Sequence, residues 1–536
     1  LCCMRERDII MENQIITVID RLKGLCHSCG LSNQAAEEDI VTTVFLYKYL
    51  SDQYREKVIL EARKTGKTIS EILRSDFTTD IKLRPADLID CLIKNKDNEN
   101  IADYFDQTLV RIASYKENKK YEDSLGEPLF HPITKSMEKR NDFIRQVLTL
   151  MDGTDFARDK VDYFAQIFEY LIKDYNVASG KYAEYYTPSQ ISSIIARLLV
   201  KGNKDPEAKV YDPSAGSGSL LLHLAQELGT NAIYSQDISL KSTRLLRINM
   251  LLNGHADSVK NIRRGDTLTS PEHIDQKFDY IVSNPPFKVD FSFTRDEIAE
   301  KWSGCFCDGV PEIPKKKKDA MAIYLCFIQH VIWSLKENGR AAIVVPAGFL
   351  SIKGGIEENI RKRLVVNGWL EGIVLMPRNV FANTATRVAV LFIDTSQWNQ
   401  DVTLMDASEL GKSEKIGKVK KTILSDDDIA CILEGYLKKD GPLVTTPKLS
   451  EIADNNYSLI PGQYAEIEKY QKHISDEEFD QKTAEVFQSY YTLCQAEKEI
   501  DLMIQTMFRK LGNRDEILSG LFCEEAPDIS ITKREE

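Results

Sequence analysis

The sequence predicts a doubly wound α/β fold that lies between a helical region and a long C-terminal helix. From about residue 15 to 175, apolar residues recur at intervals of three and four, as in "IVTTVFLYKYLSDQY", without an alternating strand pattern. After "GKYAEYYTP" the pattern changes to short β-branched runs separated by helical segments. Strands that alternate with helices in this way indicate a mostly parallel sheet covered on both faces.

Seven apolar runs are the candidate strands of this sheet. In chain order they are "AKVYD", "NAIYSQD", "VKNIRRGD", "KFDYIVS", "GRAAIVVP", "GWLEGIVLMP" and "TRVAVLFID". A chain of 536 residues exceeds one compact core, so we expect several domains. We divide it into a helical N-terminal domain (1–170), a Rossmann-like domain (171–400), a mixed connecting region (401–470) and a C-terminal helical segment (471–536).

The composition limits the function classes. The chain is 43% hydrophobic and 28% charged and has no apolar run long enough to span a bilayer, so we expect no membrane partner. Its start, "LCCMRERDII", lacks the apolar segment of a signal peptide, and eleven cysteines, an odd number, indicate reduced thiols in the cytoplasm. A net charge of −12 disfavours nucleic-acid binding over the whole surface, so such a contact is expected to be local or shared with a partner.

Two short motifs carry little functional signal. "CHSC", at Cys26 to Cys29, is the only CxxC, and it lacks the second ligand pair of a zinc finger. Free thiols are therefore favoured over zinc there, and we expect no metal. "PKKKK", at Pro314 to Lys318, is more typical of a solvated loop than of a binding site.

A glycine-rich turn follows the first candidate strand. In "YDPSAGSGSLLLHLA" the small residues lead directly into an amphipathic helix. Glycine lets a ligand approach the backbone closely, and a helix N-terminus can meet polar or anionic groups. The Lys-Ser/Thr pair of a phosphate-binding P-loop is missing, although a nucleotide ligand stays open. The alternative is a turn that is rich in glycine only for packing.

Acidic or amide residues end the next three candidate strands. Asp237 ends the second strand, where a carboxylate can accept hydrogen bonds from both ribose hydroxyls; a helix N-cap is the alternative. Asp266 ends the third strand, and "SNPPF" follows the fourth. In open α/β sheets, ligands bind outside the carboxyl ends of the strands. We therefore expect these residues and Asp212 to face one crevice.

The "SNPPF" stretch suits an exocyclic amino group of a nucleobase. Such a nitrogen is a weak nucleophile because its lone pair is delocalised, so a catalyst must hold its hydrogens with acceptors. The amide oxygen of Asn284 and the carbonyl oxygen of Pro285 are two acceptors, and the prolines fix the backbone. Phe287 offers a ring on which an extruded base can stack, worth roughly 1–3 kcal/mol. The alternative is an Asn-Pro turn with Phe287 in the core.

Together these motifs resemble those of the S-adenosylmethionine-dependent adenine-N6 DNA methyltransferases, whose hallmark is (D/N/S)PP(Y/F/W). The resemblance rests on "EYYTP", "DPSAGSG", Asp237, "GDTL" and "NPPF". It implies the seven-stranded methyltransferase fold, S-adenosyl-L-methionine as cofactor, and direct methyl transfer without a metal. Tyr185 departs slightly from the pattern, because phenylalanine is usual at that position.

The resemblance also implies residue roles. Asn284, Pro285, Pro286 and Phe287 would bind and orient a flipped adenine. Asp212 and the turn after it would hold the methionine end of the cofactor, Asp237 the ribose, and Asp266 would lie near the cofactor adenine or the target amino group. The implied cofactor-binding residues are Glu184, Tyr185, Tyr186, Thr187, Pro188, Ser189, Asp212, Ser214, Ala215, Gly216, Ser217, Gly218, Ser219, Asp237 and Asp266.

The wider chain resembles the modification subunit of type I restriction-modification systems. The similar stretches are "VFLYKYLSD", "FEYLIKDY", "LKENGRAAIVVPAGFL", "VLMPRNVFANTATRVAVLFID" and "YSLIPGQYAE". This resemblance implies a site-specific DNA adenine-N6 methyltransferase that acts on duplex DNA. Its implied partners are a specificity subunit, flanked by two modification subunits, and a restriction subunit in the full complex.

The C-terminal segment carries a candidate docking helix. An alternating four-three spacing, interrupted at Glu497, relates Val486, Tyr490, Leu493, Ile500, Ile504, Met507 and Leu511. Such a spacing predicts a seam for a partner helix, for which the resemblance suggests the specificity subunit. Packing of the helix on its own domain is the alternative.

Two other functions stay open at this point. The NPP(Y/F) motif also occurs in methyltransferases that modify a protein glutamine or an amino group of ribosomal RNA. The helical N-terminal domain, "EYYTP" and the terminal helix argue against those smaller enzymes. A non-catalytic scaffold that binds the cofactor is the second alternative, and the intact Asn284 argues against it.

Overall fold

The computed structural model describes most of the chain. The described residues are 17–30, 35–75, 77, 79, 81–129, 136–154, 187–381, 387–396, 401–416, 419–465 and 476–511. They fall into two compact units, one ending at Ala465 and the other beginning at Glu466. Each unit is described by itself.

Helices make up the N-terminal part of the first unit. The backbone is helical over residues 17–28, and every regular element described up to residue 154 is an α-helix or a 3-10 helix, as the apolar spacing predicts. The α-helices are α1 (Ala35–Thr65), α2 (Ile69–Arg74), α3 (Ile89–Lys94), α4 (Ile101–Ser114), α5 (Glu122–Leu125) and α6 (Met137–Met151).

Apolar spacing determines which face of these helices is buried. In α4, Ile101, Phe105, Leu109 and Ile112 recur at intervals of four and three and are each 0% exposed. Residues at this spacing lie on one side of a helix, so they form a continuous apolar stripe. Burial of that stripe, more than intrinsic helix propensity, holds such a helix in place.

A nine-stranded sheet forms the centre of the first unit. The helices around it are α7 (Ser189–Val200), α8 (Ser219–Leu228), α9 (Leu240–Leu252), α10 (Arg295–Lys301), α11 (Tyr324–Ser334), α12 (Gly355–Val366), α13 (Asp426–Lys438) and α14 (Leu449–Asp454). The strands are β1 (Val210–Asp212), β2 (Ile233–Asp237), β3 (Ile262–Arg264), β4 (Phe278–Ser283), β5 (Leu335–Pro346), β6 (Leu370–Leu375), β7 (Val388–Asp394), β8 (Thr403–Asp406) and β11 (Val444–Thr445). A separate antiparallel pair joins β9 (Lys412–Ile416) and β10 (Val419–Ile423).

The strand order is β11-β8-β6-β7-β5-β4-β1-β2-β3. Strands β3, β2, β1, β4 and β5 are parallel neighbours, and β7 runs antiparallel between β5 and β6. All seven candidate strands are therefore present in one sheet. Two further strands, β8 and β11, come from the predicted connecting region and extend the same sheet beyond β6.

The sheet is covered on both faces, as a doubly wound fold requires. Along β5, Ala342 and Val344 belong to one apolar core, which also holds α7 and α8. Their neighbours Ala341, Ile343 and Val345 belong to a second core, which holds α11 and α12. Successive side chains of a strand point to opposite faces, so an uninterrupted apolar run is needed when both faces are buried.

An insertion between β4 and α11 forms a small lobe with its own core. We call residues 288–323 the insert lobe; it contains α10 and a 3-10 helix, Lys318–Ala320. Its buried side chains include Phe291, Ile298, Phe306 and Met321. The lobe follows "SNPPF" directly, so it stands beside the carboxyl edge of the sheet.

The second unit contains one long helix, α15 (Asp476–Leu511). Large apolar side chains along it are well exposed, among them Val486, Tyr490, Leu493 and Ile500 at 55–69%. Ile504 is half-buried, and the side chains of Met507 and Leu511 lie outside the described part. Among the described residues of the chain, no helix combines the length and apolar character needed to cross a membrane.

Candidate active site at the carboxyl edge of the sheet

The glycine turn between β1 and α8 has a backbone that only glycine adopts easily. Gly216 and Gly218 have φ of 54° and 83°, in the left-handed region. A Cβ at Gly218 would overlap Cδ1 of Leu246, so any other residue there would force that buried side chain to move. Both conformation and packing therefore favour glycine at this position.

Two buried aspartates hold the turn in shape. Oδ1 of Asp212 accepts a hydrogen bond of 2.9 Å from the Ser214 backbone N–H. Asp237 reaches across from β2, and its Oδ2 accepts a 2.9 Å hydrogen bond from the Gly216 N–H. Its Oδ1 accepts another, of 2.8 Å, from the Ser239 N–H. The position that caps α9 is Ser239, so the N-cap alternative for Asp237 does not hold.

Burial raises the pKa of both aspartates at this site. It raises the pKa of the Asp212 carboxyl to about 8; the hydrogen bond from Ser214 opposes this rise, and the charge of Asp237 adds to it. Burial likewise raises the pKa of Asp237, against the hydrogen bonds from Ser239 and Gly216. Two adjacent carboxyls in a poorly solvated site resist being ionised together. A cationic ligand relieves this repulsion, so the site favours positive charge.

A small pocket brings three of the predicted motifs together. It is lined by Thr187, Asp212, Ser214, Ala215, Ser217, Ser219, Leu220 and Asn284. The hydroxyl oxygens of Ser214 and Ser283 are 2.7 Å apart, which joins the glycine turn to the end of β4. Nδ2 of Asn284 donates a 3.1 Å hydrogen bond to Oγ1 of Thr187. The "TPS" segment, the glycine turn and "NPPF" therefore meet at one point.

The contact with Thr187 orients the Asn284 side chain. Because the amide nitrogen donates to this hydroxyl, the amide oxygen lies on the opposite side of the group. Asn284 is half-buried and Pro285 is buried, while Pro286 and Phe287 are half-buried. Acceptors in such partly desolvated surroundings interact more strongly with a ligand than they do in bulk water.

Phe287 both packs and remains accessible. Its ring makes an edge-to-face contact with Tyr324 at 6.2 Å between centroids, and Tyr324 contacts Phe349 in the same manner at 6.3 Å. Phe287 borders both apolar cores without being enclosed by either. The core alternative is thus only half correct, since part of the ring still faces outward. In the sequence, Tyr324 is one of several apolar residues in "AIYL", so its contact with Phe287 was not predicted.

A serine–histidine contact that the sequence did not reveal fixes the start of α7. His223 Nδ1 lies 2.8 Å from the Ser219 carbonyl oxygen, and its Nε2 lies 3.0 Å from Oγ of Ser189. A carbonyl can only accept, so Nδ1 carries the proton and the Ser189 hydroxyl donates to Nε2 in the neutral ring. The hydroxyls of Ser192 and Ser219 lie 3.2 Å apart beside this contact. These bonds join α7 to α8 behind the pocket.

Asp266 follows β3 at the same edge of the sheet and, like Asp237, does not line the described pocket. Its Oδ1 accepts a 2.9 Å hydrogen bond from the Leu268 N–H, and the carboxyl is half-buried. Glu184, Tyr185 and Tyr186, also predicted at this site, lie outside the described residues.

The described residues contain no group of three His, Cys, Asp or Glu side chains arranged to hold a metal. In "CHSC", Cys26 is buried and Cys29 is exposed. Burial raises the pKa of the Cys26 thiol to about 12, and the charge of Glu37 adds to this rise. Zinc binds thiolates, so a raised pKa is unfavourable for a metal ligand.

Comparison with known proteins identifies the family. Residues 159–473 match the N-6 DNA Methylase family. The chain belongs to this family. Membership confirms the prediction, made from the five motifs together, that the protein is an adenine-specific DNA methyltransferase.

Curated relatives of this methyltransferase are methylase subunits of type I restriction enzymes. It is 28% identical to the methylase subunit of the type I restriction enzyme MpnII from Mycoplasma pneumoniae, over 80% of this chain and 81% of that protein. It is 27% identical to the methylase subunit of the type I restriction enzyme HindI from Haemophilus influenzae, over 60% of this chain and 75% of that one. The predicted resemblance to type I modification subunits is confirmed.

A solved structure supports the fold. The methyltransferase subunit of the type I restriction-modification system from Streptococcus thermophilus superposes with a TM-score of 0.65 at 23% identity. The match covers 84% of this chain and 99% of that one. The methyltransferase therefore has the predicted fold, a mostly parallel α/β sheet preceded by helices.

Proposed function

We propose that this methyltransferase is the modification subunit of a type I restriction-modification complex, and that it methylates N6 of a flipped adenine in duplex DNA. The single observation that supports this best is the meeting of Thr187, Asp212 and Asn284 in one pocket. A cofactor cradle and an amino-group acceptor are there side by side. Membership of the N-6 DNA Methylase family makes adenine the expected base.

S-adenosyl-L-methionine fits the residues present. The buried Asp212, whose pKa is raised, favours a cationic group. When bound, this cofactor supplies an electrophilic methyl group on a positively charged sulfur. In our proposal Asp212 and residues 214–219 hold its methionine end. Asp237 holds the ribose, since each carboxylate oxygen can accept a further hydrogen bond beside the backbone one.

In our proposal Asn284 and Pro285 provide the chemistry on the adenine side. Their oxygens accept hydrogen bonds from the two amino hydrogens, so the nitrogen lone pair is directed away from the purine ring. Thr187 holds the Asn284 amide in one orientation, which lowers the reorganisation needed during reaction. Phe287, supported by Tyr324, stacks on the flipped base. Transfer then depends on positioning and electrostatics.

The protein is proposed to act with other chains. Its net charge of −12 makes base reading by this chain alone unfavourable, so a specificity subunit is expected to supply sequence recognition. Helix α15 is the proposed docking element for that subunit. Val486, Tyr490 and Leu493 present exposed apolar side chains at coiled-coil spacing. We propose two modification subunits per specificity subunit, with a restriction subunit in the restricting complex.

The test is methylation by the reconstituted complex. The chain is co-expressed with its specificity subunit, and methylated adenines in host DNA are mapped to find the recognised sequence. Transfer of labelled methyl to a duplex with that sequence is expected only when both subunits are present. Asn284→Ala is expected to abolish transfer while cofactor binding persists.

Other products would contradict the proposal. Label that appears in a protein glutamine or in ribosomal RNA, with none in DNA, would replace it with one of the smaller enzyme classes. Full DNA methylation by Asn284→Ala would show that the residue has no catalytic part and would favour a scaffold role.

A further inference from the structure

Phe293 has an aromatic side chain that is almost fully exposed to solvent. It is 96% exposed, more than any other large apolar side chain described in the chain. It lies in the insert lobe, six residues after Phe287. Its near neighbour Phe291 is 6% exposed and belongs to the core of the lobe. The turn therefore buries one ring and presents the other outward.

The turn that carries Phe293 is well fixed. Oδ1 of Asp290 accepts a 3.0 Å hydrogen bond from the Ser292 N–H, and the Phe291 carbonyl accepts one of 3.1 Å from Thr294. Helix α10 begins directly afterwards at Arg295. The guanidinium of Arg295 donates to the Val310 carbonyl at 3.3 Å and to Glu312 at 2.7 Å. Hydrogen bonds on both sides of Phe293 therefore fix the backbone that carries the exposed ring.

The insert lobe leaves the sheet next to the proposed adenine site. The Val289 N–H donates a 3.1 Å hydrogen bond to the Met321 carbonyl, so the two ends of the lobe run side by side. Phe287 and Tyr324, which flank these ends, are in ring contact. Six residues of chain span at most about 20 Å, so Phe293 lies within that distance of Phe287.

Exposed lysines accompany the ring in the same lobe. Lys315, Lys316, Lys317 and Lys318 are consecutive and all exposed. The hydrogen bond between Val289 and Met321 places Lys318, three residues before Met321, near the start of the turn that carries Phe293. Hydrogen bonds from Ser292 lower the pKa of the Asp290 carboxyl in this turn, and the charge of Lys318 lowers it further. In an acidic chain this is a local concentration of positive charge, suited to phosphates.

We propose that Phe293 enters the DNA duplex at the position vacated by the flipped adenine, while the run Lys315 to Lys318 contacts the phosphates of the same segment. The proposal rests on the proposed function and adds a positioning residue to it. Removal of a base from the stack costs free energy, because its stacking and pairing contacts are lost. An inserted apolar ring offsets part of that cost by stacking on the bases on each side of the gap. Phe293 then stabilises the open duplex without touching the reacting atoms.

The test separates base opening from chemistry. Phe293→Ala and Phe293→Trp are prepared in complex with the specificity subunit, and single-turnover methyl transfer is measured on two duplexes. One is fully paired, and the other places an abasic site opposite the target adenine, so that the base is already unpaired. We expect Phe293→Ala to slow transfer about 10- to 100-fold on the paired duplex and less than about 3-fold on the other. Phe293→Trp is expected to retain the wild-type rate on both.

A matched control is Leu437→Ala, since Leu437 is an exposed side chain, at 44%, on α13. It is expected to behave as wild type on both duplexes. Lys316→Ala is expected to weaken binding to all DNA sequences and to lower the salt dependence of binding by about one charge.

Three results would overturn the proposal. Equal slowing of Phe293→Ala on both duplexes would place the residue in folding or chemistry, and unchanged rates on both would show that the ring is not used. Failure of Phe293→Ala to co-purify with the specificity subunit would make the ring a protein contact. If the wild-type complex methylates neither duplex, the proposed function fails instead, which is a separate outcome.

Discussion

The raised pKa of Asp212 predicts how cofactor binding depends on pH. A carboxyl with a pKa of about 8 is mostly protonated at neutral pH in the free protein, whereas a cationic ligand needs the carboxylate. Affinity is therefore expected to increase as pH increases towards 8. The ionised fraction grows about ninefold from pH 6 to pH 7 and about fivefold more by pH 8, roughly 1.4 kcal/mol per unit at the low end.

The measurement is the dissociation constant of S-adenosyl-L-methionine by isothermal titration calorimetry across this range. The matched variant is Asp212→Asn, which can still accept the hydrogen bond from Ser214 but cannot ionise. Titration of the cofactor's own amino group is common to both proteins, so it cancels in the ratio of their affinities. This ratio is expected to grow about fiftyfold in favour of wild type from pH 6 to pH 8.

A ratio that stays constant across the range would refute the reasoning.

The same substitution is also expected to change how the stability of the fold depends on pH. A carboxyl whose folded pKa is raised destabilises the fold increasingly as pH increases from about 4 to 8. In this range the carboxyl ionises in the unfolded chain but stays mostly protonated in the folded one. Without cofactor, Asp212→Asn is therefore expected to unfold at a higher temperature than wild type at pH 8, with little difference near pH 4.

Three further predictions concern packing, orientation and assembly. Gly218→Ala places a Cβ 2.1 Å from Leu246 at a positive φ, and is expected to lower the unfolding free energy by about 1–3 kcal/mol, measured by urea denaturation; an unchanged midpoint would contradict the packing. Thr187→Val removes the acceptor that orients Asn284, and is expected to lower kcat about tenfold, a larger effect than on the cofactor dissociation constant, with Thr187→Ser as the active control; a change confined to cofactor affinity would assign Thr187 to the cofactor alone. Leu493→Asp, in an exposed position of α15, is expected to abolish co-purification with the specificity subunit but leave cofactor binding intact; normal assembly would exclude the helix as the docking element.

The seven strands, found in chain order, were the most predictable part of the fold. Apolar runs such as residues 341–346 of β5 and most of β7 are required where both faces of a sheet are buried, so the seven strands could be found by inspection. Strands β8 and β11 were not foreseen, because they have four and two residues and lie among polar segments. A strand this short carries too few positions to show a period.

The motifs of the candidate site can be found in the sequence, but the hydrogen bonds between those motifs cannot. The chemistry of Asn284 follows from its own side chain and two prolines, which are adjacent in sequence. Its contact with Thr187 joins residues 97 positions apart, and the contact of Asp237 with Gly216 joins residues 21 apart. No local pattern encodes such pairs.

The bond from Asp237 to Gly216 makes two motifs depend on each other. The carboxylate proposed to bind ribose also fixes the turn proposed to bind the methionine end. A substitution that breaks this hydrogen bond is therefore expected to disturb both proposed parts of the cofactor site, the ribose contact and the methionine contact. A compensating substitution must restore the hydrogen bond to the backbone as well as the contact with the ligand. Homologues that keep the activity are expected to retain the aspartate and the glycine as a linked pair, and homologues that have lost one should show relaxed constraint on the other.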